Sequence, residues 1–161
     1  MFVNARAIIE RDSSSGCEIV LQTRYKPHEG EKSIELPGGR VEEFESLIDA
    51  LKREVREETG LTLTHIEGSV SKVTSQTKGR EVECMQPFAV YQTTKGPVDS
   101  MGIYFRCQSE GNLLEVGNDT MNPQWVSVDQ IVKWMKQDAG MFGWIDCAGL
   151  LFYLKHKGLL S

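Results

Sequence analysis

The segment from Leu36 to Leu61 constrains the fold of this chain most, because local signals fix both ends of one helix. Two glycines in Pro37-Gly38-Gly39 permit backbone angles that other residues avoid, and they follow a short apolar strand. Ser46 is a favoured N-cap residue and Gly60 is a favoured C-terminal stop. The sequence therefore predicts a strand, a glycine turn and a helix from about Ser46 to Gly60 in immediate succession.

The predicted helix carries three glutamates on the border of its apolar face. At about 100° per residue the apolar positions form one stripe, and they are Leu47, Ile48, Leu51 and Val55. On the same wheel Glu54, Glu57 and Glu58 fall beside or inside that stripe rather than on the solvated side. We therefore expect the three carboxylates to lie close together and to be partly removed from water.

Two interpretations of this acidic cluster compete. Runs of charge usually form a solvated face, where like charges three or four residues apart cost only roughly 0.2–0.5 kcal/mol per pair. Carboxylates beside a buried face must instead bind protons or be neutralised. A hard divalent cation with oxygen ligands is the natural neutraliser, and the two preceding glycines leave room for a backbone carbonyl or a ligand. The position of the glutamates favours a metal site over a solvated face.

The remaining sequence alternates between strand and helix patterns around polar loops. Strands are predicted at residues 3–9, 17–24, 34–36, 68–77, 81–94 and 101–107, loops at 12–16, 27–32 and 108–123, and further helices at 128–137 and 142–157. Pro87 suggests that its strand lies at an edge or contains a bulge. Helices interspersed among hairpin strands predict an α/β sandwich around a mixed β-sheet, formed by one domain of residues 1–161.

Composition and charge argue against several classes of partner. The net charge of −5 argues against nucleic acid, whose binders usually carry a basic patch. The sequence contains no apolar run near the ~20 residues that span a bilayer, and its N-terminus lacks a secretory pattern. We therefore expect a cytoplasmic protein without membrane contact. The four cysteines, at positions 17, 84, 107 and 147, lack the spacing of a zinc site.

The stretch from Gly39 to Leu61 resembles a Nudix box. The family pattern is Gly, five residues, Glu, seven residues, Arg-Glu, an aliphatic residue, any residue, Glu-Glu, any residue, Gly and an aliphatic residue. Every fixed position is filled at the right spacing, by Gly39, Glu45, Arg53, Glu54, Val55, Glu57, Glu58, Gly60 and Leu61. Phe44 departs from the common pattern, because many members carry glycine there, and this difference concerns a local turn rather than a ligand.

The resemblance implies a fold, an activity and a cofactor. The expected fold is a Nudix-type α/β/α sandwich around a mixed β-sheet. The expected activity is hydrolysis of the pyrophosphate linkage in a small nucleotide substrate, a nucleoside diphosphate derivative such as a nucleoside triphosphate, a nucleotide sugar or ADP-ribose. The expected cofactor is Mg²⁺, with Mn²⁺ as an alternative, and the implied ligands are Glu54, Glu57, Glu58 and the carbonyl of Gly38.

The same resemblance implies which residues carry the chemistry. Glu54 and Glu58 are expected to be catalytic, and Glu54 is a candidate base for the attacking water. A later loop supplies the base in other members, and Glu115 is the candidate for that role here. Two acidic residues of the same loop compete with it, namely Glu110 and Asp119.

Other residues are expected to support the site or to bind substrate. The resemblance implies an ion pair between Arg53 and Glu45 that orients the loop and the helix, with Gly39 and Gly60 as further structural support. Arg24 follows the second predicted strand and is a candidate for binding a substrate phosphate. A simple surface charge is an equally good interpretation of Arg24.

Two questions stay open at the level of the sequence. A Nudix fold that senses a nucleotide without cleaving it is the alternative function, because a fold does not determine a function. The intact box favours the hydrolase. The last predicted helix has more apolar residues than one buried face needs, so it either packs fully on the sheet or joins a homodimer interface.

Overall fold

The structure, a computed structural model, describes residues 1–26, 31–115 and 122–160. The strands are β1 (Phe2–Ser13), β2 (Gly16–Lys26), β3 (Glu31–Glu35), β4 (Gly38–Arg40), β5 (Thr62–Ile66), β6 (Val73–Thr77), β7 (Arg80–Cys84), β8 (Ala89–Gln92), β9 (Ser100–Glu110) and β10 (Gln124–Ser127). The helices are α1 (Leu47–Thr59), α2 (Val128–Gln137) and α3 (Trp144–His156), and a short 3₁₀ turn spans Ala139–Met141. In these described ranges, no helix is both long and apolar enough to cross a membrane.

One mixed sheet holds eight of the described strands. Its path runs β10-β2-β1-β9-β5, while β3 adds to β2, β4 to β1 and β8 to β9. β1 and β9 pair in parallel over residues 2–9 and 100–107, and the other pairings in this sheet are antiparallel. β6 and β7 form a separate hairpin with almost entirely exposed side chains. The mixed sheet that the sequence predicts is confirmed.

Helices cover both faces of the sheet. On one face α1 packs on a buried cluster that includes Ala5, Val20, Leu51, Val55 and Phe105. On the other face α2 and α3 pack on a buried cluster that includes Ile8, Ile19, Tyr104, Ile131 and Leu150. The two clusters use alternate side chains of the same strands, as the period-two geometry of a strand requires. The predicted α/β/α sandwich is therefore confirmed.

Helix α1 begins and ends where the sequence predicts. Ser46 Oγ accepts a hydrogen bond from the backbone N–H of Asp49, with a donor–acceptor distance of 3.0 Å. Gly60 adopts a left-handed conformation with φ 79°, and its N–H donates to Arg56 O at 3.1 Å. Both caps satisfy backbone groups that a helix end otherwise leaves without partners. They therefore fix the register of the glutamates along α1.

The glycine turn expected after Leu36 is instead a strand. Gly38–Arg40 forms β4 and pairs antiparallel with residues 4–6 of β1. Gly38 has φ 147°, and a Cβ on it would collide with Ala5 O. The glycines thus permit close backbone approach within the sheet. A short segment with two glycines has no strand signature, which explains why the sequence does not predict it.

Several other boundaries differ from the expectation. β5 was not predicted, because it is separated from α1 by only two residues and has no turn signal of its own. The strand expected at 81–94 is interrupted at residues 85–88, so Pro87 lies between β7 and β8 rather than inside a strand. β3 already begins at residue 31, within the predicted loop, and residues 27–30 of that loop lie outside the described residues.

Phe44 adopts a backbone conformation that glycine favours. Its φ is 60°, and its side chain is completely exposed. A left-handed conformation costs an L-residue roughly 1–2 kcal/mol, because Cβ approaches the following carbonyl oxygen. No buried contact of the ring offsets this cost. The position at which many Nudix boxes carry glycine is therefore a local source of strain in this chain.

Replacing Phe44 with glycine should raise the free energy of unfolding by about 1 kcal/mol, because glycine adopts this conformation without the steric cost. Urea denaturation followed by circular dichroism measures the change. Phe44→Ala is the matched control, since alanine removes the exposed ring but keeps Cβ. Equal stabilisation by both variants would assign the effect to the ring instead of the backbone.

Candidate active site

Glu58 is the buried glutamate of α1, and its carboxylate lies against the sheet. The residue is 9% exposed, in agreement with its position inside the apolar stripe. Its Oε2 accepts a hydrogen bond from Gln22 Nε2 on β2. The same oxygen accepts one from the backbone N–H of Gly38 on β4, at 3.4 Å. Two strands therefore hold one oxygen of this carboxylate.

Burial gives the Glu58 carboxyl an unusual affinity for protons. Desolvation raises its pKa from 4.5 to about 7, and the negative charge of Glu54 contributes to the rise. Hydrogen bonds from Gln22 and Gly38 and the positive charge of Arg6 lower the pKa, but they offset the rise only in part. The ionised form of Glu58 is therefore incompletely neutralised by the protein itself.

Glu54 and Glu57 lie on the same helix but are more accessible. Glu54 Oε1 accepts a hydrogen bond of 2.8 Å from Arg53 Nη1, and its side chain is 17% exposed. Glu57 is 54% exposed, and its Oε2 lies 3.9 Å from the same nitrogen of Arg53. A Cβ on Gly39 would lie 2.6 Å from the carboxyl carbon of Glu54. The three predicted ligands thus extend from the core to the solvent, with Gly39 leaving room for Glu54.

Arg53 forms the ion pair with Glu45 that the Nudix resemblance implies. Its Nε lies 2.8 Å from Glu45 Oε1, and its Nη2 lies 2.9 Å from Oε2, so the contact joins two pairs of atoms. These hydrogen bonds, together with one from the backbone N–H of Glu42, lower the pKa of Glu45 to about 2. Nη2 of Arg53 also donates to Arg40 O at 3.1 Å. Arg53 therefore ties the loop after β4 to α1, directly beside Glu54.

The donor set fits a hard divalent cation. Every candidate ligand offers oxygen, and the most buried one, Glu58, is an incompletely neutralised carboxylate. Within the described residues, no three histidine, cysteine, aspartate or glutamate side chains converge as a complete metal site. Mg²⁺ does not require such a cage, because it usually binds one or two carboxylates together with substrate phosphates and waters. Glu54 and Glu58 meet that smaller requirement.

A second set of buried charges near the site was not predicted from the sequence. Arg6 Nε on β1 lies 3.0 Å from Asp146 Oδ1 on α3, and the Asp146 side chain is 1% exposed. Burial raises the pKa of Asp146 to about 6 despite this partner. The sequence contains a signal for such residues, because Arg6 interrupts the apolar run at 5–9 and Gln22 ends the apolar run at 19–21. Polar residues inside otherwise buried strands require partners.

Arg24, the candidate for phosphate binding, is paired within the protein. Its Nε lies 3.1 Å from Glu35 Oε2 on β3, and its side chain is 38% exposed. A guanidinium has five N–H donors, so this contact leaves others for a ligand. An open cavity of about 630 Å³ lies at the same end of β2 and β3, lined by Thr23, Tyr25, Lys32 and Asn122.

Glu115 lies after β9, in a segment that contacts the end of α1. The backbone N–H of Leu114 donates to Thr59 O at 2.9 Å, which brings this segment to the C-terminal end of the helix. Glu115 itself is exposed and makes no hydrogen bond or ion pair with the box glutamates in the described part of the chain. Of its competitors, Glu110 is exposed at the end of β9, and Asp119 lies outside the described residues.

Solved structures share this fold at low sequence identity. A possible asymmetric diadenosine tetraphosphate hydrolase from Jonesia denitrificans matches with a TM-score of 0.69 and 18% identity, over 99% of this chain and 96% of that chain. The ORF135 protein of E. coli matches with a TM-score of 0.62 and 22% identity, over 98% and 91%. A MutT structure from work on the Aliivibrio salmonicida and Vibrio cholerae proteins matches with a TM-score of 0.55 and 20% identity, over 82% and 84%. At these identities the likeness shows the fold.

The sandwich and the glutamate-bearing helix together define a Nudix-fold protein. Residues 1–145 match the model of the NUDIX domain family. Because this match covers most of the chain, the protein belongs to the Nudix family. It is a Nudix pyrophosphohydrolase, an enzyme of the class that cleaves phosphoric anhydride bonds.

Replacing Glu58 with glutamine should stabilise the metal-free protein at pH 8 by roughly 1–3 kcal/mol. Folding raises the pKa of Glu58 from 4.5 to about 7, so the folded state binds more protons than the unfolded state between these values. The free energy of unfolding of the wild type therefore falls as the pH rises through this window. The free energy of the variant does not, because an amide does not ionise. The advantage of the variant should vanish near pH 4. Urea denaturation in EDTA at both pH values measures it.

Glu57→Gln is the control for this prediction. The side chain of Glu57 is 54% exposed, so its replacement should change stability by less than about 0.5 kcal/mol at either pH. A gain at Glu57 as large as the gain at Glu58 would indicate relief of general acidic repulsion and would contradict the burial argument.

Proposed function

We propose that this enzyme hydrolyses the pyrophosphate linkage of a nucleoside diphosphate derivative with Mg²⁺ as its cofactor and Mn²⁺ as a substitute. The observation that carries the proposal is the buried, incompletely neutralised carboxylate of Glu58 beside Glu54 in an intact Nudix box. Such a carboxylate attracts a cation, because a buried charge without a counter-charge is costly. We also propose that residues 1–161 form a single domain.

The proposed cation ligands are Glu54, Glu57, Glu58 and the carbonyl of Gly38, which need not all hold the same ion, because no three acidic side chains of the described residues converge on one position. A bound divalent cation neutralises phosphate charge and activates water when it is present. Glu58 offers Oε1 from the core side, since its Oε2 is held by hydrogen bonds from β2 and β4. Glu57 is exposed and approaches from the solvent side. This arrangement supports a site that is open to a phosphorylated substrate.

Four further residues support the proposed site structurally. Arg53 and Glu45 hold the loop after β4 against α1 through their two-point contact. Gly39 leaves the space that the Glu54 carboxylate occupies, and Gly60 caps the helix two residues after Glu58. Their proposed role is to fix the position of the ligands, without contact to substrate.

Glu54 and Glu58 are the proposed catalytic residues, and Glu115 is the alternative base for the attacking water. Arg53 donates to Glu54 Oε1, and Oε2 makes no hydrogen bond with the described residues, so Oε2 is the oxygen that can accept a proton. The contact of the Glu115 segment with the end of α1 supports the alternative. A general base must come within hydrogen-bond reach of its water, directly or through one further water.

Arg24 is the proposed phosphate-binding residue outside the box. Its partial exposure leaves guanidinium donors for a phosphate, and bidentate contact with phosphate is the usual geometry of arginine. The open cavity at the same end of β2 is of a size that accommodates a small ligand. Nucleoside triphosphates, nucleotide sugars, ADP-ribose and dinucleotide polyphosphates are all candidate substrates. The neighbouring structures support this range, because their names include MutT and a possible diadenosine tetraphosphate hydrolase.

Three further points remain predictions. A sensor that binds nucleotide without cleaving it is the competing function.

Cytoplasmic location is tested by microscopy of a fluorescent fusion. A homodimer is tested by sedimentation equilibrium, and the surface that a second copy would cover is the exposed apolar part of α3, which comprises Trp144, Leu151 and Phe152.

Wild-type protein should release phosphate or nucleotide from one substrate class when it is incubated with Mg²⁺ or Mn²⁺. The panel contains nucleoside triphosphates, oxidised triphosphates, nucleotide sugars, ADP-ribose and dinucleotide polyphosphates. Glu57→Gln should lower kcat at least about 100-fold, because removal of a cation ligand removes several kcal/mol of charge stabilisation. Circular dichroism should show an unchanged fold, since Glu57 is exposed.

The outcomes separate the two functions. Near wild-type turnover by Glu57→Gln in saturating Mg²⁺ would overturn the proposed ligand set. Binding of nucleotide and metal without turnover of any substrate would favour the sensor.

Replacing Glu115 with glutamine should lower kcat by about 10²–10⁴-fold and remove the acidic limb of the pH–rate profile, if Glu115 rather than Glu54 is the base. Glu110→Gln is the matched control, because Glu110 is an exposed glutamate from the same part of the chain. A wild-type rate and pH profile in Glu115→Gln would assign the base to Glu54.

A further inference from the structure

Gln22 is a polar side chain that the strand β2 carries into the protein interior. It is 1% exposed, and it follows the apolar residues Val20 and Leu21, which are also buried. Burial of an amide is costly unless its donors and acceptor find partners. Its Nε2 donates to Glu58 Oε2. Its Oε1 is buried and has no hydrogen-bond partner among the described residues.

The chemistry of the pair fixes the orientation of the amide. In the ionised form of Glu58, which is the form that binds a cation, the carboxylate oxygens only accept hydrogen bonds, so the NH₂ group of Gln22 must face Glu58. The opposite orientation would place two acceptor oxygens against each other. Oε1 of Gln22 therefore points away from Oε2 of Glu58 and requires a separate donor.

The two donors on Glu58 act on the same oxygen. Gln22 Nε2 and the backbone N–H of Gly38 both donate to Oε2, while Oε1 accepts no hydrogen bond from the described residues. Both donors are neutral. They therefore restrict the orientation of the carboxylate without occupying its second oxygen and without contributing a formal positive charge.

We infer that Gln22 is a positioning residue for a divalent cation at Glu58. It holds Glu58 Oε2 so that Oε1 faces the cation, and its own Oε1 accepts a hydrogen bond from a water of the cation's hydration shell. This inference rests on the proposed function, since that function requires the cation. Mg²⁺ retains several waters when it binds to proteins, and each of these waters is a hydrogen-bond donor. The buried acceptor of Gln22 thus gains the partner that it lacks.

The test is a titration of free Mn²⁺ by electron paramagnetic resonance, with wild type beside Gln22→Met. Methionine resembles glutamine in length and shape but neither donates nor accepts a comparable hydrogen bond. Loss of a group that orients a metal ligand commonly costs about 10- to 100-fold in metal affinity, so the Mn²⁺ dissociation constant should rise by that factor. The Mg²⁺ concentration for half-maximal turnover should rise similarly, and saturating Mg²⁺ should restore kcat.

Gln76→Met is the matched control. Gln76 on β6 donates from Nε2 to Glu81 Oε2 at 2.5 Å, so it forms the same kind of pair on the exposed hairpin. Its replacement should leave the Mn²⁺ dissociation constant unchanged. Gln22→Leu provides a second apolar variant, and circular dichroism verifies that each protein is folded before titration.

Each outcome decides one question. Wild-type Mn²⁺ affinity in folded Gln22→Met or Gln22→Leu would overturn the inference and leave the proposed hydrolase intact. Weakened Mn²⁺ binding in a protein that turns over no substrate would support the role of Gln22 while the proposed function fails. Absence of Mn²⁺ binding by wild type would overturn both. If both variants are unfolded, Gln22 serves fold stability and the inference is wrong.

Discussion

The burial of one carboxylate, that of Glu58, is the constraint on which the site depends. Removing an ion from water costs several kcal/mol unless charges or hydrogen bonds compensate. The compensation comes from three strands, because Gln22 is on β2, Gly38 is on β4 and the positive charge of Arg6 is on β1. Glu58 thus has its compensating environment only when these strands are paired and α1 is packed on them. The site and the sheet therefore form one cooperative unit.

A network of charges on the sheet face opposite α1 helps to position strand β4. Arg6 Nη1 donates to Leu36 O at 3.3 Å, and Asp146 Oδ2 accepts from Leu36 N at 3.2 Å. The backbone C=O and N–H of Leu36 are thereby held by Arg6 and Asp146, and these two side chains also form an ion pair with each other. Leu36 lies two residues before Gly38, so the network fixes the start of β4. Helix α3 thus contributes to the site without reaching it.

The sequence predicts those parts of this arrangement whose causes are local. Ser46 and Gly60 define α1, and helical periodicity alone places Glu58 among its apolar residues, as the structure confirms. β4 could not be predicted, because its glycines acquire a strand conformation only through pairing with β1. Gln22 could not be assigned to Glu58 either, since 36 residues separate them and their contact depends on how α1 packs against β2. The ligand roles of the glutamates remain predictions.

An amide next to Glu58 is a compromise between the stability of the folded protein and the proposed binding of a cation. Arginine or lysine at position 22 would neutralise the buried carboxylate, but it would also repel a cation and compete for its ligand. Arg53 illustrates that arrangement at the edge of the site, where it pairs with Glu45 and also donates to Oε1 of Glu54, leaving only Oε2 of Glu54 without a hydrogen bond from the described residues. A neutral donor orients Glu58 and leaves its charge unsatisfied. Under the proposed function, the resulting cost in stability would be recovered when a cation binds, and the folding energy of the protein would then be coupled to the cation.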